Sequence, residues 1–222
     1  MKRKWKLWMI AFVVFVMTDI MMQSNRADAK KRTFTVSSKT IPCSSSYRQK
    51  PYYNKKTKQY YMINSYMRRL STTGGTLKLK KGTYKIPGTI YVPSNVKIVC
   101  ANGVKIKKTK ATGTKKVKST KFLFQMISEE KASGKQNTGK YAASKNASIQ
   151  GNGKVIFDMG NVNGATAVFV GHASGITVSG VRFRNKKGGS YIWIEGSKNI
   201  SVRQCVFERK KDVSGLKNRM AV

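Results

Sequence analysis

The chain has 222 residues, with 45 lysines and arginines against eight acids and a formal charge of +37. That length suits one sizeable domain, and so basic a balance draws polyanions while leaving few carboxylates for acid–base chemistry. One histidine and three cysteines (Cys43, Cys100, Cys205) at no metal-ligand spacing argue against a metal site or other cofactor, and the odd count leaves at least one thiol unpaired within the chain.

Residues 1–29 read as a secretory signal peptide. Lys2, Arg3, Lys4 and Lys6 precede an apolar run from Leu7 to Met17, and Ala27-Asp28-Ala29 offers a small-residue cleavage site. Asp19 interrupts the weaker run that follows, so export is preferred over a retained membrane anchor, which needs about 20 clean apolar residues. Without the five basic and two acidic residues of this segment, 40 basic and six acidic side chains remain, a charge of +34. An exported or cell-surface protein meets cell-wall polymers more than DNA. Anionic extracellular polysaccharide is therefore the expected partner, and nucleic acid is not.

Residues 30–59 are basic, polar and Tyr-rich around Pro42 and Pro51, and read as an irregular N-terminal segment. Tyr60, Ile63, Tyr66, Met67 and Leu70 recur at spacings of three and four, which predicts a short amphipathic helix. Alternating runs follow at 76–79, 82–86, 89–92, 96–99 and 104–106, each predicted as a strand. A helix ahead of such a run reads as a cap over the first coil of a solenoid spanning residues 60–222. Polar stretches at 107–121 and 129–145 read as insertions flanking a strand at 122–127.

The C-terminal third repeats itself. VFVGHASGITVSGVRFR (168–184) superposes on IWIEGSKNISVRQCVFE (192–208) with a shift of 24 residues, bringing Val168 onto Ile192, Phe169 onto Trp193, Val178 onto Val202, Val181 onto Cys205 and Phe183 onto Phe207. Three short alternating runs per copy describe one turn of a parallel β-helix. Asn95, Asn146, Gly175 and Asn199 each stand before an alternating run, where a tight corner needs the left-handed conformation those residues tolerate.

Gly74-Gly75-Thr76-Leu77, Gly82-Thr83-Tyr84, the stretch Gly151-Asn152-Gly153 and the coil Gly175-Ile176-Thr177-Val178-Ser179-Gly180 together resemble the pectate-lyase-like superfamily over about residues 71–209. The resemblance implies an all-β, right-handed parallel β-helix, and a secreted polysaccharide lyase or glycoside hydrolase of carbohydrate metabolism. Its clustered aspartates and Gly-His-Gly are missing here. Whether the chain is an enzyme at all therefore stays open against a non-catalytic surface protein that binds glycan, or an inactive part of a longer enzyme.

Glycoside hydrolysis generally uses two carboxyl groups. Asp158 and Glu195, both expected at solvent-open corners, are the acid–base candidates. Arg182 is expected to point outward, and Tyr191 has the better aromatic claim to an outer face; both are substrate-binding candidates. His172 aligns with Gly196 at a corner, where a turn role is preferred over catalysis, and is kept as a third binding candidate. Arg184 lies 24 residues before Glu208, predicting a cross-coil ion pair. Trp193 falls on Phe169, in a core or an outer ladder. After Phe207 no second capping helix is legible, which leaves a shortened chain, end-to-end self-association, or a cap improvised by residues 210–222.

Overall fold

The computed structural model describes residues 32–134 and 138–208, so the signal-peptide reading and the tail after Glu208 lie outside the described residues. Sheet A contains, in spatial order, β1 (Arg32–Val36), β2 (Gly75–Leu79), β5 (Val96–Cys100), β8 (Ser148–Gly151), β11 (Ser174–Ser179) and β14 (Lys198–Arg203). Sheet B contains β3 (Gly82–Ile86), β6 (Val104–Lys108), β9 (Ile156–Asp158), β12 (Arg182–Arg184) and β15 (Val206–Phe207). Sheet C contains β4 (Ile90–Tyr91), β7 (Phe122–Gln125), β10 (Thr166–Gly171) and β13 (Ile192–Glu195). The chain visits A, B and C in turn and every strand pair is parallel. The fold is a parallel β-helix. Among the described residues it has four complete coils and two strands of a fifth.

The register is the one the 24-residue repeat predicts. Val168 pairs with Ile192, Phe169 with Trp193, Val178 with Val202 and Phe183 with Phe207. Alternation then sends every second side chain inward and stacks like on like. Sheet A supplies the column Leu77, Ile98, Ile149, Val178; sheet B supplies Tyr84, Ile106, Phe157, Phe183; sheet C supplies Ile90, Phe124, Val168. All eleven are 0% exposed. The corners follow as well: Asn95, Asn146, Gly175 and Asn199 all have φ between 52° and 65°.

The first coil is closed by two devices. Residues 30–59 are not wholly irregular, since β1 adds a parallel strand to the edge of sheet A beside β2. Alternating threonines around Phe34 suit a strand, but the run is too short to stand out without its partner. Helix α1 (Lys58–Leu70) covers the rest, burying Met62, Ile63, Met67 and Leu70. Its amide side chains finish the edges of sheets B and C. Gln59 Nε2 donates to Thr83 O (3.2 Å) while Lys85 N–H donates to Gln59 Oε1 (2.6 Å). Asn64 Nδ2 donates to Thr89 O (3.0 Å) while Tyr91 N–H donates to Asn64 Oδ1 (3.1 Å). In each case one amide serves residues i and i+2 along the edge, as the N–H and C=O of a single residue in a preceding parallel strand would.

The two polar insertions are partly built in. Lys108 belongs to β6 and is fully buried, its ammonium donating to the carbonyls of Phe122 (2.8 Å), Pro87 (3.0 Å) and Gly88 (3.0 Å) and to the Thr120 hydroxyl (3.3 Å). It ties the 109–121 loop to the β3–β4 corner. The second insertion opens with the short helix α2 (Glu129–Ser133), whose N-cap Ser128 hydroxyl accepts from Lys131 N–H.

Candidate functional site

The outer face of sheet B carries charge in rows set by the register. Lys107, Asp158 and Arg184 align across β6, β9 and β12, and Lys105, Ile156 and Arg182 form the neighbouring row. Asp158 ends β9 but is only 3% exposed, not open to solvent as expected. Lys105 Nζ lies 3.1 Å and Arg184 Nη2 3.3 Å from its carboxylate, and the Asn185 amide (2.9 Å) and Gly160 N–H (3.0 Å) donate to it. Burial alone would raise its pKa. The Asn185 and Gly160 hydrogen bonds, with Lys105, outweigh burial and hold it below the usual aspartate value.

Arg184 does not pair with Glu208. The two strands are in the expected register, yet Asp158 on the opposite neighbour takes Arg184, and Glu208 instead meets Arg182 Nη1 at 2.8 Å. A side chain on a middle strand has a neighbour on each side, and the buried carboxylate is the stronger attractor because it is shielded from water.

The other candidates lie apart. Glu195 is exposed at the end of β13 on sheet C, aligned with Gly171, so it and Asp158 stand on different sheets. His172 is exposed at the β10–β11 corner with φ +51°, and its ring lies over Gly196, where an added Cβ would come within 3.0 Å of it. Tyr191 does not face outward. It is 8% exposed, its ring lies against Phe183 and Phe207, and its hydroxyl donates to Glu208 O at 2.6 Å. The backbone acceptor lets a tyrosine fill the corner beside Phe183 without stranding its hydroxyl. Trp193 is on the outside, 46% exposed, with Phe169 and Phe122 in an aromatic ladder across sheet C.

Arg182 is where it was expected, outward, with 52% of its side chain exposed. It borders a trough of about 470 Å³ along the corner between sheets A and B, with Gly151, Gly153, Lys154, Gly180 and Gln204. The trough is bare because the corners of adjacent coils touch: a Cβ on Gly151 would sit 2.2 Å from Gly180 O, and one on Gly180 2.3 Å from Gly151 O. A second groove of about 320 Å³ adjoins it on the outer face of sheet A and shares Gln204. There Ser148, Gln150, Thr177 and Ser179 form a polar ladder between Lys97 and Arg203. Sequence reasoning missed this ladder and Lys154; the polar outward positions of the alternating runs were the available signal. Among the described residues, no three His, Cys, Asp or Glu side chains gather where they could hold a metal ion.

No protein-family model and no curated protein matches the chain. Among solved structures it is similar to PfbA, a surface adhesin of Streptococcus pneumoniae, at 16% identity and a TM-score of 0.47. The match covers 68% of this chain and 34% of that one, so the chain spans about a third of that protein's length.

Proposed function

We propose that this β-helix is an exported, non-catalytic binding protein for anionic extracellular polysaccharide, such as a cell-wall polymer. The observation that carries this is the continuous pair of grooves over the A–B corner and sheet A. The floor of the sheet A groove is hydroxyl and amide, that of the corner trough is glycine backbone with Val155, Ile156, Val181 and Val206, and the two rims hold Lys97, Lys154, Arg182 and Arg203. Successive coils repeat at about 4.8 Å, so equivalent hydrogen-bonding groups recur in a straight line, as an extended polymer of repeating units requires. The pectate-lyase-like resemblance in the glycine corners and coil pattern favours a saccharide as that polymer. Against catalysis stands the separation of the two acid–base candidates: Asp158 is sequestered beneath Lys105 and Arg184 on sheet B, and Glu195 is exposed on sheet C.

Binding of polygalacturonate, with a neutral polysaccharide as control, tests this. The polyuronate should bind and the neutral polymer should not compete for the trough. Its affinity should weaken steadily with added salt, because exposed charges are screened. Charge reversal in the pair Lys154→Glu and Arg182→Glu should weaken it at least about tenfold, the equivalent of about 1.4 kcal/mol. Salt-independent binding, or an unchanged double variant, would refute the trough. Release of reducing ends or unsaturated sugars would return the protein to the enzymes.

A further inference from the structure

A third cleft, of about 500 Å³, lies at a different corner, where sheet B passes into sheet C. Its apolar wall is built from the aromatic ladder. Phe122 and Phe169 stack face to face, 4.6 Å between centroids and 8° between planes. Their faces are therefore used on each other. Trp193 packs across them, 5.2 Å from Phe169 and 6.3 Å from Phe122, tilted 67° to both. An indole fixed by two rings yet still 46% exposed is a rigid apolar surface offered to solvent.

The rest of the cleft is small and polar. Thr166 and Ser190 line it, Lys121 stands at its edge, and Gly164 and Gly189 supply bare backbone. An added Cβ at Gly164 would meet nothing within 4 Å, so open space begins at the main chain. At Gly189, with φ +63°, a Cβ would stand 2.4 Å from Ala165 O, so only glycine fits that corner. The register that stacks Phe169 on Trp193 also sets these parts side by side, since Ser190 N–H reaches Thr166 Oγ1 at 3.4 Å.

A flat apolar wall ringed by hydroxyl and amine groups matches one ligand chemistry well. A pyranose ring presents C–H bonds on its face and hydroxyls around its edge, and an indole is the side chain best suited to cover such a face while hydrogen bonds are made at the rim. An acyl chain would leave the hydroxyls of the cleft unanswered. A polyanion would find one lysine here against the four cations that border the trough and its adjoining groove. We infer that the cleft is a glycan subsite that stacks an uncharged pyranose ring on Trp193, with Ser190 and Lys121 taking its hydroxyls. It does not rest on the anionic trough, and either can fail without the other.

Calorimetric titration of the full chain with cellohexaose, chitohexaose and mannohexaose, at low and at high salt, tests this. At least one should bind saturably with the same Kd at both salt concentrations. Trp193→Ala should weaken it at least tenfold, Trp193→Phe should retain most of it, and Arg182→Glu should leave it unchanged. Gly164→Asn keeps a residue that tolerates the left-handed φ of +67° there and fills the open space, so it should block binding with unchanged circular dichroism. If Trp193→Ala fails to fold, Gly164→Asn decides. Failure of all three sugars to bind, wild-type affinity in Trp193→Ala or Gly164→Asn, or affinity that falls with salt would each overturn the subsite.

Discussion

Lys108 is buried with four acceptors around its ammonium, and burial draws its pKa from the ordinary 10.5 down to about 7. The unfolded chain keeps that proton up to about pH 10.5, so between the two values the unfolded state binds more protons. Stability should therefore rise with pH across that window, by at most about 1.4 kcal/mol per unit, while below about pH 7 both states are charged and the cost of burial is complete. Denaturant unfolding between about pH 7 and 8.5 would show the slope, below the range where the Cys100 thiol and Tyr84, both pushed up to about 12 by burial, release protons on unfolding. Lys108→Met should abolish that part of the slope, and should still destabilise by about 1–3 kcal/mol because it strands buried carbonyls. The sequence placed this lysine in a polar insertion, since one charged side chain among many carries no local sign of burial. Asp158 and Arg184 were hidden for a related reason. They align across coils 26 residues apart, outside the 24-residue period that was legible.

At the scale of elements, α1 was readable from its apolar spacing, to within two residues of its start. Its capping chemistry was not, because Gln59 and Asn64 are ordinary polar letters until the edges of β3 and β4 are set against them. Asn64 is 2% exposed and stands in for a missing strand, so Asn64→Leu should leave Thr89 O and Tyr91 N–H unpaired and cost about 2–4 kcal/mol, read as a lower denaturation midpoint with unchanged m. Lys58→Ala on the same helix is the control, expected to change little. The short β1 escaped notice for the converse reason: its stability comes from pairing with β2, not from its own five residues.

For the whole solenoid, burial depends on having a coil on each side. Phe183 is 0% exposed between Phe157 and Phe207, whereas Phe207, its equivalent one coil later, is 49% exposed. Phe183→Ala should cost about 3–5 kcal/mol and Phe207→Ala much less, since a half-exposed ring leaves no closed cavity behind. Equal losses in thermal or denaturant unfolding would mean that the fifth coil is as well covered as the fourth. Ile194 and Val202 follow the same gradient, emerging where Val170 and Val178 are buried.

The period, most strands, the corners and the core columns of the last two coils were determined by the sequence alone, because each coil repeats a local alternation and a parallel β-helix stacks equals on equals. Which outward side chains converge was decided only by the tertiary structure. Early coils carry insertions of unequal length, so their register cannot be counted along the chain, and each charged residue chooses between neighbours on two sides. That choice sent Arg184 to Asp158 and Arg182 to Glu208, turned Tyr191 inward and Trp193 outward, and drew the glycine trough and the aromatic cleft along two separate corners.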